Sequence, residues 1–399
     1  MTPAILTLNS GSSSLKFALY PVGGDTTAPD LTGKIEGIGR APAFRARDAA
    51  GQPVAPGPLA DLAPDISQAA LIARLLPWLD HWLGARELVA VGHRVVHGGT
   101  HFQAPVRVTE DVLTQLETLS PLAPLHQPHN LAAIRAVGAW RAHITQVACF
   151  DTSFHTTMGR LDTLFALPRA LSDEGVRRYG FHGLSYQHIA NILPDHLGDA
   201  AQGRVIVAHL GNGASMCAME NRRSVATSMG FTALDGMMMG RRCGALDPGV
   251  VLYLMQARGM DVAGVERMLY NESGLFGVSA LSNNMQVLLD SDTPEAAEAV
   301  ALYCHKAAQV LAGLVPSIGG LDALVFTAGI GENAAPVRQG ICDRLAWLGV
   351  VLDPEANTRN ATRISASGAR VSVLVLPTNE EAVVADACNT LLQGESHES

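Results

Sequence analysis

Near the N-terminus the chain reads Asn9-Ser10-Gly11-Ser12-Ser13-Ser14-Leu15-Lys16, set between the apolar runs Ala4 to Leu8 and Leu15 to Tyr20. Each run reads as a strand, so the small polar residues between them must form a tight hairpin. Backbone amides, hydroxyls that include those of Ser12 and Ser14, and the Lys16 ammonium converge on this turn, which suits a phosphate. Asn9, at the strand end, adds an amide oxygen for Mg²⁺ or its waters. An ordinary Ser-rich turn has the same composition, and the segment alone leaves both readings open. No G-x-x-x-x-G-K-[ST] occurs in the chain, which disfavours a P-loop fold.

Further strand-like runs follow at Leu88–Val91, Thr145–Phe150, Val205–Leu210, Ala214–Met219, Ala323–Thr327 and Ser372–Leu376. Helical patterns fall between them. Leu71, Ile72, Leu75, Leu76 and Leu79 make one apolar stripe within Ser67–Leu83. A long helix is expected from Thr293 as N-cap, with Pro294 first, to about Leu314, and another after Glu381 to about Leu392. Strands alternating with helices place the chain in the α/β class, and its 399 residues suggest two domains. The Gly-, Pro-, Ala- and Asp-rich segment Gly23 to Pro64 reads as peripheral.

Composition narrows the function. The net charge of −9 argues against a general nucleic-acid or membrane-surface binder. An anionic substrate would have to be held by a few local cations. The six cysteines form no C-x-x-C, so buried, reduced thiols in a cytoplasmic protein are expected. The apolar run already under way at Ala4 reads as a strand, so no signal peptide is expected. No uninterrupted apolar run approaches the roughly 18 residues of a membrane span.

Three Gly/Asn-rich turns follow strands: Thr7–Gly11, Ala208–Ser215 and Thr327–Asn333. Together they point to a nucleotide clamp more than any one does. Two rival motifs fail. His93, His97 and His101 recur every four residues, but Gly98-Gly99 breaks any helix and no Glu follows His97, so the zinc-protease pattern is absent. The late G-x-G-x-x-A at Gly329 to Ala334 is out of place for a Rossmann domain, which more usually opens with that motif.

With these turns in view the chain resembles the acetate kinase family, whose fold is shared with actin, hexokinase and heat-shock ATPases. The resemblance rests on nine blocks in order: Asn9–Lys16, Gly92–Gly99, Ala123–His126, Phe150–His155, Arg178–Gly183, His209–Ala214, Thr227–Thr232, Phe326–Asn333 and Pro377–Glu381. It implies two actin-like (ribonuclease H-like) α/β domains of duplicated topology with an interdomain active-site cleft. These would be residues 1–150, completed by a C-terminal helix at about 381–393, and a nucleotide-binding domain over 151–380. It also implies reversible ATP-dependent phosphorylation of acetate to acetyl phosphate with Mg²⁺ or Mn²⁺, a homodimer, and a cytoplasmic location. The alternatives are a propionate or other short-chain carboxylate kinase and, from another class, a nucleotide-gated actin-like binding protein.

A carboxylate acceptor is already ionised, so such a site needs positioning and charge neutralisation rather than a general base. The resemblance places Arg94 on the substrate carboxylate, with Asp151 orienting Arg94 or the acceptor. It places His182 and Arg242 on the transferring phosphoryl group, and His126 in the active site. ATP phosphates fall to Asn9, Ser12, Ser14, Lys16, His209, Asn212 and Gly213. Asn284, Gly329, Gly331 and Asn333 complete the nucleotide site, the two glycines through close backbone approach. Asn9 and Glu380 are the Mg²⁺ candidates, through water. Val96, Leu125, Phe181 and Ala233 would line the acceptor pocket. Taken singly, a strand-end Asp is as often a turn former and a His in a Gly-rich turn is usually structural. Arg241-Arg242, Arg177-Arg178 and Arg222-Arg223 also read as solvated pairs, and the carboxylates of Glu380 and Glu381 suit a helix's first turn for its dipole alone.

The chain departs from the family pattern at several places. Tyr186 stands where His is usual, Ala245 for Asp, Asp235 for Glu and Ala233 for Pro, and Ser282–Gln286 lacks the usual Asp-Met-Arg ending. Altered contacts to the nucleotide base are expected from the last. Room for one more methylene in the acceptor pocket is expected from Ala233, worth about 1–3 kcal/mol of discrimination. None of the departures removes a phosphoryl-transfer residue.

Overall fold

The hairpin forms as β1 (Ala4–Ser10) and β2 (Ser14–Pro21), antiparallel, with Asn9 opposite Lys16. This computed structural model describes residues 2–11, 14–26, 28–124 and 126–395; Ser12 and Leu125 lie outside them. Contacts divide the chain into two units, Met1–Ser153 with Asn379–Ser399, and Phe154–Thr378.

In the first unit β1 pairs on one side with β2, then β3 (Leu31–Glu36) and β4 (Ala43–Asp48), all antiparallel. On the other side it pairs in parallel with β5 (Leu88–Val95), and β5 in parallel with β7 (Thr145–Phe150). The two-residue β6 (Val106–Arg107) closes that edge. The expectation that Gly23 to Pro64 is peripheral is corrected here. Leu31, Ile35, Ala46 and Leu59 of that segment join the main core beneath the helix Gln68–Leu83. Its high Gly and Pro content hid two short strands whose inward residues alternate. The helix Glu380–Glu395 packs on β1 and β5. Gly92 permits this, because a Cβ there would fall within contact distance of Val384 and 2.7 Å from Cys388 Sγ.

The second unit repeats the scheme. β8 (Val205–Leu210) pairs antiparallel with β9 (Ala214–Glu220), and β9 with β10 (Arg223–Thr227). β8 also runs parallel to β11 (Ala323–Thr327), and β11 to β12 (Ser372–Val375). The order β10-β9-β8-β11-β12 matches β3-β2-β1-β5-β7 of the first unit, which is the duplicated α/β topology the fold expectation required.

The helix predicted to end near Leu314 runs from Pro294 to Ile318, and by length and composition it is apolar enough to cross a membrane. Counting uninterrupted apolar residues missed this. Ala299, Tyr303, Ala307 and Leu311 are buried, and the helix contacts β9 and β10, while Glu298 and Lys306 face outward. A core role accounts for its apolarity.

His93 and His97 are enclosed in the first unit and His155 in the second, and burial pushes each imidazole down to about 4. His93 Nε2 lies 2.8 Å from Gln146 Oε1, and His97 Nδ1 accepts from the Gly99 amide at 2.9 Å. Because the folded values lie below the ordinary one, the stability these neutral rings confer is complete above about pH 6.5 and lost as pH falls toward 4. We expect denaturant-unfolding free energy to drop through that interval by about 3 kcal/mol per ring protonated. Unfolding curves that do not move between pH 6.5 and 4 would contradict this.

Candidate functional site

In the first unit the ends of the parallel strands carry the polar groups. β7 ends at Phe150, and the Asp151 amide donates to Val95 O at 3.1 Å, which brings Asp151 alongside β5. Arg94 donates from Nε and Nη2 to the two Asp151 oxygens at 2.9 and 2.6 Å. Its Nη1 lies 2.9 Å from Glu380 Oε2 and 3.4 Å from Asn9 Oδ1, and Asn9 Nδ2 donates to Glu380 at 3.3 Å. Burial opposes the Arg94 charge, but the Asp151 and Glu380 carboxylates outweigh it and hold the guanidinium well above its ordinary value. Burial raises Glu381, and neighbouring Glu380 adds to the shift. Three sequence-assigned roles therefore fall on one ion cluster: Arg94, Asp151 and the Asn9–Glu380 pair.

The hairpin is held by amide side chains that motif reasoning missed. Gln68 Nε2 donates to Ser10 Oγ and Gly11 O, both at 2.6 Å. Asn130 accepts from the Val96 amide at 3.0 Å and donates to Ser10 O at 2.7 Å. The available signal was a polar residue on an otherwise apolar helix face. The Gly11 amide donates to Ser14 O at 2.9 Å, closing the turn. Lys16 lines a separate hollow of about 640 Å³ with Lys34, Arg45, Arg47 and Glu381. His126 directly precedes the helix Gln127–Trp140 and makes no capping bond with its side chain.

In the second unit the β8–β9 turn, Gly211-Asn212-Gly213, closes through Gly211 N to Gly213 O at 3.0 Å. Asn212 O accepts from the Gly240 amide at 3.0 Å, tying the turn to the loop that carries Arg242. His182 is left-handed (φ 59°) and leads into the helix Gly183–Leu197. His155 sets that turn: its Nε2 lies 3.0 Å from Phe181 O and its Nδ1 2.8 Å from Ser224 Oγ.

These elements aim His182 and Arg242 at one point. A Cβ on Gly213 would lie 3.4 Å from His182 Nε2 and 3.6 Å from Arg242 Nη2. The Arg242 side chain is half-buried, and burial lowers it from its ordinary value. It donates to Ala233 O at 2.8 Å and contacts Met239 Sδ at 3.6 Å; among the described residues no carboxylate pairs with it. A desolvated guanidinium without a counterion is costly, and an anionic ligand would relieve the cost. The His182 and His209 rings stack at 4.2 Å, each with Nδ1 2.8 Å from a serine hydroxyl, Ser215 and Ser185 respectively.

Asn212, Asn284, Gly329 and Asn333 line a hollow of about 310 Å³, together with Asn283 and Gln286 of the segment expected near the nucleotide base, and with Ile330, which sequence reasoning did not assign to the site. The volume is at the lower end for ligand pockets. Some side chains there are already engaged. Asn284 Oδ1 caps the helix Met285–Leu289, Asn333 Nδ2 donates to Gly329 O, and Gln286 donates to Asp290. A Cβ on Gly329 meets nothing, and one on Gly331 makes only ordinary contacts, so packing requires neither glycine. The left-handed residue of that turn is Ala328 (φ 64°), whose amide donates to Glu332 at 2.7 Å. Phe181 is buried in this unit and Val96 in the first. The reading of Arg178 as solvated is corrected: it donates to Ser228 O, Met229 O and Asp235.

The two arginines should respond oppositely to substitution. Asp151→Asn leaves the buried Arg94 undercompensated and is expected to cost about 3 kcal/mol. Arg242→Met removes an unpaired buried charge and should leave Tm unchanged or raised. Parallel thermal and guanidinium melts check both, and equal losses would refute the distinction.

The family model for the acetokinase family matches residues 4–386. The chain is 51% identical to the acetate kinase of Rhodopseudomonas palustris over 390 residues, covering 96% of this chain and 97% of that one. It is 48% identical to the acetate kinase of Methylocella silvestris, with 96% and 97% covered. Among solved structures it is similar to a propionate kinase from Francisella tularensis, with a TM-score of 0.89, 34% identity, and 96% and 98% coverage. It is also similar to the acetate kinase of Porphyromonas gingivalis, with a TM-score of 0.86, 34% identity, and 98% and 100% coverage.

Proposed function

The chain belongs to the acetokinase family, and from that premise we propose that it transfers the γ-phosphoryl group of ATP to acetate, reversibly. One acetate oxygen forms a bond to the γ-phosphorus as the bond to the β–γ bridging oxygen breaks, giving acetyl phosphate and ADP. No proton moves, so the catalytic groups are donors and cations rather than bases.

Arg242 carries the reading: a half-buried guanidinium with no carboxylate partner among the described residues, aimed with His182 Nε2 at the space above Gly213. Those two groups neutralise charge on the equatorial oxygens of the transferring group. The glycine- and asparagine-lined hollow takes the nucleotide, supporting a nucleotide-binding role for the second unit. In the first unit, Asp151 and Glu380 fix the Arg94 guanidinium where it orients the acceptor carboxylate. His126, Val96, Leu125, Phe181 and Ala233 complete the acceptor environment, and the hairpin's Ser12, Ser14 and Lys16 act on phosphate.

Asn9 and Glu380 would hold Mg²⁺ through water, as suits an ion that keeps several waters and takes few protein ligands; Asn9 Oδ1 and Glu380 Oε2 also face Arg94 Nη1. When bound, the ion neutralises phosphate charge. Of the six cysteines none is paired, which supports a reducing, cytoplasmic setting.

Acyl phosphate trapping with hydroxylamine, run with acetate, propionate and butyrate, tests the assignment. Acetate should give the strongest signal and propionate a measurable one. Arg242→Ala should lower kcat by about 10²–10³-fold. No product with any acid would refute the kinase. Propionate above acetate would favour the second reading, a propionate kinase, for which Ala233 and the 34% identity to a solved propionate kinase speak.

A homodimer completes the proposal. The helix Pro248–Gln256 is apolar yet buries none of its residues, and it exposes Val250, Leu252, Tyr253 and Met255. A second copy of the chain would cover it. Leu252→Glu is expected to shift the mass measured by light scattering from dimer to monomer, and an unchanged dimer would place the interface elsewhere.

A further inference from the structure

On the face of the first sheet turned away from the core under Gln68–Leu83, three cations stand side by side. Lys16 of β2 is the cross-strand partner of Lys34 of β3, and Lys34 is the partner of Arg45 of β4. At the alternate positions Leu15 and Leu19 of β2 and Leu31 and Ile35 of β3 pack in the core, as the two-residue period of a strand requires. Arg47, two residues along β4 from Arg45, stands opposite Thr32. All of these polar residues line the hollow of about 640 Å³, a size within the range of small-molecule sites. Tyr20, Pro29, Pro53 and Pro56 add apolar surface, and Asn379 and Glu381 border it from the start of the C-terminal helix.

Like charges directly opposite one another destabilise a sheet. Their local relief is incomplete. Lys34 Nζ lies 3.0 Å from Glu36 in a half-exposed pair, Arg47 donates to Gly51 O at 2.8 Å, and Lys16 acts on the Glu381 carboxylate. Among the described residues no carboxylate pairs with Arg45. The hollow thus gathers four cations against one lining carboxylate, in a protein whose net charge is −9. Edge protection does not account for the row. Cations deter association at an exposed edge strand, and β4 is such an edge, but β2 is paired on both sides.

The row sets the shape of an occupant. Neighbouring strands lie about 4.8 Å apart, so the line from Lys16 to Arg45 runs about 10 Å. A lone phosphate spans only part of it. Two anionic groups joined by an organic body span all of it, with the body against the tyrosine and prolines. Arg45 and Arg47 each present a fork that matches two phosphate oxygens, and Lys34 adds a point charge.

We propose that this hollow is a binding site for a small organic molecule carrying two phosphate-type anionic groups. Its lining shares no residue with the Arg94 cluster or with the Arg242 site, and the inference does not rest on the kinase reading.

Calorimetric titration of the full-length protein with hexanediol bisphosphate tests it, beside hexyl phosphate, inorganic phosphate and sodium chloride of matched ionic strength. The bisphosphate should bind the wild type and raise its Tm, with hexyl phosphate and inorganic phosphate at least about tenfold weaker. The double variant Lys34→Gln/Arg45→Gln spares Lys16, which the hairpin uses, and alters only side chains at the surface. It should melt cooperatively and bind the bisphosphate about tenfold to a hundredfold more weakly. Arg242→Ala should bind it as the wild type does. No binding beyond the chloride control, or equal binding by wild type and double variant, would overturn the proposal. So would loss of binding in Arg242→Ala, which would place the anion in the second unit. Inorganic phosphate bound as tightly as the bisphosphate would overturn the two-ended ligand.

Discussion

Arg94 ties together four stretches far apart in the chain: the end of β1, the end of β5, the residue after β7, and the start of the C-terminal helix. Its fork geometry makes the tie specific, with one edge on Asp151 and the other nitrogen on Glu380 and Asn9. The first unit cannot form this cluster without returning its last helix onto β1 and β5. Gly92 leaves the space for that return, since any side chain there would collide with Val384 and Cys388. The hairpin, the parallel strands and the C-terminal helix therefore meet around one guanidinium.

The second unit has the opposite electrostatic character. Arg242 is withdrawn from water but given a backbone carbonyl and a thioether in place of a carboxylate. A chain selected only for stability would fill that position with an apolar side chain or supply a counterion. The two arginines look alike as sequence. They differ in what surrounds them: Arg94 has two carboxylates, and Arg242 has a backbone carbonyl and a thioether.

Much of this was legible in the sequence. The strands that carry the conserved-type turns are continuous apolar runs, so eight of them could be placed from pattern alone. β3, β4 and β10 could not, because their short alternations lie among Gly, Pro and charged residues, nor could β6, which is two residues long. At the site, the motif residues Arg94, Asp151, His182 and Arg242 could be named, but not their partners. Whether Arg94 faces a substrate or an aspartate depends on the parallel register of β5 and β7, which no local pattern encodes. The supporting amides Gln68 and Asn130, the hydroxyls of Ser185, Ser215 and Thr378, and the left-handed Ala328 belong to residue types too common to stand out. They acquire meaning only once the fold sets their neighbours.

Two histidines stacked at 4.2 Å beside an uncompensated arginine would repel one another if both were charged. Each Nδ1 lies 2.8 Å from a serine hydroxyl, Ser215 or Ser185, and each serine has a second hydroxyl beside it, Tyr186 or Thr378. In a reaction whose acceptor is already anionic and in which no proton is transferred, no imidazole is needed as a base. The fixed positive charge beside the rings is that of Arg242, whose guanidinium cannot lose it.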